Sequence, residues 1–215
     1  HFYHQASLKN AIEQKLFIIG PAGKIETVIT FPIHEPIGIA IIAHPHPLYQ
    51  GNMDNKVVYI TNRALTEKGF ITAKFNFRGV GASEGKYAEG VGEISDVMAV
   101  TRFMQEKYGV ILDQPLLVLA GFSFGGAIQA FAAQQLNPHK LILIAPSVAR
   151  MNTPQVVDHA KATLIVHGDH DDIIPLQSVV DWASPQGIPV TIIPEAEHFF
   201  HGKLTILKQT IMNFC

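Results

Sequence analysis

Short, nearly unbroken apolar runs alternate along the chain with longer stretches in which apolar residues recur every three or four positions. The first kind has the length and composition of buried strands, the second the period of amphipathic helices. Strand patterns fall at 15–20, 25–31, 37–43, 70–77, 115–121, 141–145, 163–167 and 190–193, with the turn signal Gly20-Pro21-Ala22-Gly23 between the first two. Helical patterns fall at 56–68, 92–108, 125–135, 176–183 and 204–214. Gly69 stops the first of these and Gly109 the second. In 92–108 the inner side is formed by Ile94, Val97, Met98, Phe103 and Met104.

Strands that alternate with helices imply parallel strands joined by right-handed crossovers. The expectation is one α/β domain over 1–215, with about eight mostly parallel strands and helices on both faces. No repeat, low-complexity tract or linker divides it. The connection from 145 to 163 is short, which leaves little room for a helical cap over the end of the sheet and predicts no substantial cap domain.

Composition narrows the function classes. The 215 residues are 47% hydrophobic and 16% charged, with a formal net charge of −2. That balance suits a folded globule, and with no run of like charges it gives no reason to expect a nucleic-acid or polybasic membrane surface. The lone Cys215 cannot form an internal disulfide and is poorly placed as a nucleophile. The longest apolar stretches, such as 37–43, are far too short for a membrane span, and no signal-peptide pattern appears, so a cytoplasmic location is expected.

The 11 histidines raise the question of zinc. His44-x-His46 and His167-x-x-His170, with Asp169 and Asp171, have ligand types. The dinuclear pattern H-x-H-x-D-H fails, however, because Leu48 and Tyr49 stand where Asp and His are required. Gly79-Val80-Gly81-Ala82-Ser83-Glu84-Gly85 misses a dinucleotide fingerprint by one position. Neither a metal nor a cofactor is expected.

One pentapeptide carries chemistry. Gly121-Phe122-Ser123-Phe124-Gly125 matches G-x-S-x-G and lies between an apolar strand pattern and an Ala-rich helix pattern. A sharp strand-to-helix turn lifts a serine hydroxyl clear of the sheet, and small residues two before and two after let strand and helix pack closely behind it. Ser123 would then sit at a helix N-terminus, where the Phe124 amide can hold a developing oxyanion. The plain alternative is a helix N-cap serine after a glycine turn.

Two later loops hold the partners such a serine needs, in the order acid then histidine. After 163–167 comes Gly168-Asp169-His170-Asp171-Asp172, and after 190–193 comes Pro194-Glu195-Ala196-Glu197-His198-Phe199-Phe200-His201. Ligands in open α/β sheets bind beyond the carboxyl ends of the strands, where both loops fall. Asp171 is the candidate acid, placed in the loop beyond the strand. Asp169 is expected to bond the loop backbone, and Asp172 to cap or face water. His198 is the candidate base, with His201 the competitor further along.

The loop His44-Pro45-His46-Pro47-Leu48-Tyr49 follows the third strand. Pro45 and Pro47 have no N–H to donate, so the His46 amide is the candidate second oxyanion donor, with that of Leu48 next. Tyr49, Phe199 and Phe200 are candidate walls of an apolar substrate pocket.

Together these residues resemble the α/β-hydrolase superfamily over nearly the whole chain. The histidine-proline loop and Asn76-Phe77-Arg78-Gly79-Val80-Gly81 look like those of small, lidless bacterial hydrolases similar to dienelactone-hydrolase-like proteins. The resemblance implies an α/β-hydrolase fold with Ser123, Asp171 and His198 as its triad. Dienelactone hydrolases themselves use a cysteine nucleophile, so that activity does not carry over. Many members have His-Gly where this chain has His44-Pro45. The expected chemistry is acyl transfer from a small ester or thioester to water. The competing expectations are a peptidase or amidase on the same site, or a non-catalytic binding or scaffold protein on the same fold.

Overall fold

A strand buried on both faces must put apolar side chains on both, and Gly38-Ile39-Ala40-Ile41-Ile42-Ala43 does so. In the computed structural model, which describes residues 12–215, this segment is strand β3 (Gly38–Ala43) and every residue of it is buried. Ile39 and Ile41 enter one apolar cluster, and Ala40 and Ile42 the other, on the opposite face. The same alternation holds along β5 (Leu116–Phe122), where Leu117 and Leu119 face one way and Val118, Ala120 and Phe122 the other. These two strands lie side by side at the centre, in parallel register from Gly38 opposite Leu116 to Ala43 opposite Gly121.

Among the described residues eight strands form one sheet. The rest are β1 (Glu13–Gly20), β2 (Gly23–Thr30), β4 (Phe70–Phe75), β6 (Lys140–Ile144), β7 (Ala162–Gly168) and β8 (Val190–Ile193). Their order is β1-β2-β4-β3-β5-β6-β7-β8, and only β2 runs against the others. The mostly parallel sheet and two-sided helical cover therefore match the sequence pattern. Among the described residues no substantial cap covers the sheet: residues 145–161, between β6 and β7, contain turns and no helix or strand.

The helices are α1 (Lys56–Glu67), α2 (Val91–Lys107), α3 (Phe124–Leu136), α4 (Leu176–Ala183) and α5 (Leu204–Phe214). Val97, Val100 and Met104 of α2, Ile128 of α3 and Val179 of α4 pack in the first cluster. Val57, Val58 and Leu65 of α1 pack with Leu207 and Ile211 of α5 in the second. Burying each such side chain contributes about 1.5–3 kcal/mol. Asn55 caps α1 by accepting from the amides of Val57 and Val58, at 2.8 and 3.2 Å.

The pattern 70–77 overran its strand. β4 ends at Phe75; just beyond it the Asn76 amide still donates to the Glu26 carbonyl at 2.9 Å, while the Asn76 side chain bridges Met53 and Glu26, Oδ1 accepting from the Met53 amide at 2.9 Å and Nδ2 donating to Glu26 Oε1 at 2.8 Å. Phe77 stays fully buried, which is why its apolar character read as strand. The loop beyond is fixed by Arg78, whose guanidinium and amide both reach the buried Asp96 carboxylate.

Candidate active site

Connections leave β3 and β5 in opposite directions along the sheet, so a crevice opens at their carboxyl ends. Loops after β3, β4, β5, β6 and β7 and the one after β8 line a cleft of about 810 Å³ there, among them residues His46, Tyr49, Tyr87, Ser123, Arg150 and His198.

Ser123 stands between β5 and α3 with φ 57° and ψ −116°, a left-handed conformation costly for a residue with a side chain. The flanking glycines make it possible. A methyl group at Gly121 would collide with the Gly125 carbonyl, and one at Gly125 with the carbonyls of Ala43 and His44. The chain thus turns sharply enough to aim the Ser123 hydroxyl into the cleft while its carbonyl starts the helix, accepting from Gly126 N at 3.0 Å. The Phe124 and His46 backbone amides donate to no group among the described residues. The Leu48 amide is already engaged, donating to His46 Nδ1 at 3.1 Å.

Three of the sequence candidates meet in a line. Ser123 Oγ lies 3.1 Å from His198 Nε2, and His198 Nδ1 lies 2.7 Å from Asp171 Oδ2. The Asp171 side chain is wholly buried. Burial by itself pushes its carboxyl up, but the His198 imidazole and the amides of Ile174 and Ile173 outweigh that and hold it below the usual carboxylate range. Those amides donate to Oδ1 at 2.7 and 2.9 Å, while Oδ2 faces His198, with the buried His167 Nε2 also 3.3 Å from it. The His198 ring is packed against Phe122 and Phe199, each 5.0 Å away between ring centroids. A charged carboxylate on Nδ1 selects the imidazole tautomer whose Nε2 is bare toward Ser123. Such an arrangement can draw a proton from the hydroxyl as its oxygen attacks a carbonyl.

The competitors lie elsewhere. Asp169 Oδ1 accepts from the Glu195 amide at 2.7 Å, and Asp172 faces water. The His201 side chain is 72% exposed and sits beside Glu197. Tyr49 and Phe199 line the cleft. Phe200 does not, which corrects its assignment as a pocket wall: its φ of 56° turns the chain, and its ring is fully buried in the layer against α5. Within one apolar pair in a loop, the sequence holds no period to tell which ring goes in.

Sequence reasoning also missed neighbours of the serine. Ser147, three residues past β6, puts its Oγ 3.3 Å from Ser123 Oγ, and its amide donates to the Ser123 carbonyl at 3.1 Å. Its place just beyond a strand's carboxyl end was the available signal. Arg150 enters the cleft with Nη2 donating to the Ile173 carbonyl at 2.8 Å, and Tyr87 and Glu89 line it from the loop after β4. The Tyr87 hydroxyl lies 3.2 Å from His46 Nε2. Burial, with Arg150 nearby, lowers the His46 pKa against the opposing pull of Glu89. Among the described residues no three His, Cys, Asp or Glu side chains are grouped to hold a metal ion.

Comparison with known proteins agrees with the fold. Residues 57–159 match the Prolyl oligopeptidase family, a span that includes Ser123 and stops before Asp171. The Rickettsia prowazekii (strain Madrid E) protein RP471 is 33% identical, over 93% of this chain and 87% of its own. XC6422 of Xanthomonas campestris, an α/β serine hydrolase without lid, has a TM-score of 0.85 and 34% identity, covering 94% of this chain and 92% of that one. An α/β serine hydrolase homologue from Coxiella burnetii has a TM-score of 0.86 and 39% identity, covering 93% of this chain and 96% of that one. The chain belongs to the α/β-hydrolase superfamily and groups with its lidless bacterial serine hydrolases.

Proposed function

We propose that this hydrolase cleaves small acyl esters or thioesters through an acyl-enzyme on Ser123. His198 takes the Ser123 proton as the oxygen attacks the acyl carbon, and Asp171 holds the ring and stabilises the imidazolium. The amides of Phe124 and His46 receive the oxyanion. His198 then returns the proton to the leaving alcohol or thiol. Water attacks the acyl-enzyme by the same route, releasing the acid and restoring Ser123. No step calls on a cofactor.

The observation that carries this reading is the unbroken hydrogen-bond line from Asp171 through His198 to a serine held at φ 57° on the cleft floor. A non-catalytic scaffold has no need of such a strained serine with a base in reach. Substrate size follows from the open cleft of about 810 Å³ and the turn-only connection beside it. With nothing to cover a long chain, short or compact acyl groups fit better than lipids. An amide substrate is the second reading, favoured by the Prolyl oligopeptidase family match across the serine-bearing segment.

The test is labelling with a fluorophosphonate alongside hydrolysis of short p-nitrophenyl esters and matched p-nitroanilides. Wild type labels and cleaves the esters; Ser123→Ala does neither, with a loss of about 10⁶-fold in kcat. Labelling that survives Ser123→Ala, or anilide turnover exceeding ester turnover, overturns the assignment of nucleophile or of substrate respectively.

A further inference from the structure

The Ser123 oxygen has two polar neighbours, and counting protons fixes what the second one does. Asp171 is charged, and its Oδ2 accepts a hydrogen bond from the protonated His198 Nδ1 at 2.7 Å. In the neutral imidazole Nε2 is therefore an acceptor, and the one hydrogen of the Ser123 hydroxyl points to it across 3.1 Å. Ser123 Oγ then has only lone pairs to offer Ser147 Oγ, 3.3 Å away, so Ser147 is the donor. The Ser147 hydroxyl makes no other hydrogen bond among the described residues, and the residue is only 7% exposed. Its backbone is tied to the serine turn as well, because its amide donates to the Ser123 carbonyl.

We propose that Ser147 is a further catalytic residue, a hydroxyl donor to the Ser123 oxygen that acts chiefly on breakdown of the acyl-enzyme. The proposal rests on the acyl-enzyme reading of Ser123. During acylation the alcohol oxygen already accepts this bond before reaction, so the transition state gains little over the ground state. The bond also draws density from the oxygen that must attack. In the acyl-enzyme the same atom is the bridging oxygen of an ester, a poor acceptor, so the ground state is hardly stabilised. When water has added and the C–Oγ bond breaks, the electron pair passes to Oγ. The Ser147 hydroxyl then meets a strong acceptor, and His198 Nε2 delivers to Oγ the proton it took from water. Ser147 keeps its own proton throughout, and the products are the free acid and Ser123 with its hydroxyl restored. The 3.3 Å separation is long for two hydroxyls at rest and shortens as charge builds on Oγ.

Pre-steady-state hydrolysis of p-nitrophenyl acetate by wild type, Ser147→Ala and Ser123→Ala, with intact-mass detection of acylated protein, separates the two steps. Ser147→Ala is expected to slow deacylation by about 10- to 100-fold while the acylation and fluorophosphonate-labelling rates stay within about threefold. p-Nitrophenolate then appears as a burst approaching one per active site, and acylated protein accumulates. Equal slowing of both steps marks Ser147 as structural only and overturns the proposal, as does unchanged deacylation. Failure of wild type to acylate on Ser123 overturns the acyl-enzyme reading first, and this inference with it.

Discussion

Two loops at the same edge of the sheet each carry a buried histidine, and they spend their nitrogens differently. His44, at the end of β3, is fully buried and gives both nitrogens to backbone: Nδ1 donates to the Pro45 carbonyl at 2.6 Å and Nε2 accepts from the Phe77 amide at 3.1 Å. His198, after β8, is 3% exposed and sets one nitrogen on a carboxylate and the other on a serine hydroxyl. Burial is the same in both, so burial does not identify the base. What separates them is whether a partner can gain or lose a proton. His44 ties the histidine-proline loop to the segment after β4, which shapes the cleft wall that carries His46 and Tyr87. His198 faces the Ser123 hydroxyl.

The largest effect that can break this contrast is on rate. His198→Ala is expected to lower kcat/KM by about 10⁶-fold, and Asp171→Asn by about 10⁴-fold, with ester hydrolysis as the readout. His201→Ala, on the exposed side of that loop, stays within about threefold. His44→Leu should do the reverse of His198→Ala. It strands a buried amide and a buried carbonyl, so urea denaturation should show a loss of about 2–4 kcal/mol, while activity per folded molecule falls far less than with His198→Ala. If His44→Leu abolishes turnover at unchanged stability, the distinction between the two rings fails.

A smaller effect sharpens the same point through pH. Burial lowers the His44 pKa from 6.5 to about 4, against the raising pull of the Pro45 carbonyl. Above pH 6.5 the ring is neutral folded or unfolded, and its contribution to stability is intact. Between 6.5 and about 4 the unfolded chain takes up a proton that the folded ring refuses, so stability falls as pH falls, by up to roughly 3 kcal/mol for this group. His46 and His167, both lowered by burial, add losses of the same sign below 6.5. Asp171, held below its ordinary 3.8, loses its contribution only further into acid. The slope of unfolding free energy against pH between 6.5 and 4 should therefore be shallower in His44→Leu than in wild type.

The two loops also mark how far the sequence could be read. The β3 end stood out as a candidate site because prolines remove donors and leave few amides to choose among. The serine turn was legible because glycines at 121 and 125 have a steric reason to be there, now visible as close backbone approaches. Strand periods located the centre of the sheet because its strands are buried on both faces, and the longest overrun, at Phe77, came from a residue buried without being in the ladder. Ser147, Tyr87, Glu89 and Arg150 escaped notice because they belong to no motif, and apart from the place of Ser147 just past a strand's carboxyl end nothing in their local sequence sets them apart. They reach the cleft through crossovers that bring distant loops to one edge, and the adjacent Phe199 and Phe200 part company through a single backbone angle.

The smallest effect falls on two carboxylates two residues apart. Asp171 and Asp169 share one loop after β7 and both accept from backbone amides, yet they serve different loops. Asp171 spends Oδ1 on its own loop and Oδ2 on His198, and in the proposed mechanism that second use requires negative charge to hold the imidazole and stabilise its cation. Asp169 uses Oδ1 to accept from Glu195 N, which anchors the start of the loop that carries His198. An amide oxygen performs that task as well as a carboxylate does, because the donor is a neutral peptide N–H. Asp169→Asn should therefore leave kcat within about threefold, whereas Asp169→Ala, which removes the acceptor, should cost about 1 kcal/mol of stability and a modest fraction of rate. Parallel ester assays and denaturation of the two Asn variants decide it. A loss near 10⁴-fold in Asp169→Asn with Asp171→Asn nearly active would exchange the roles of the two residues.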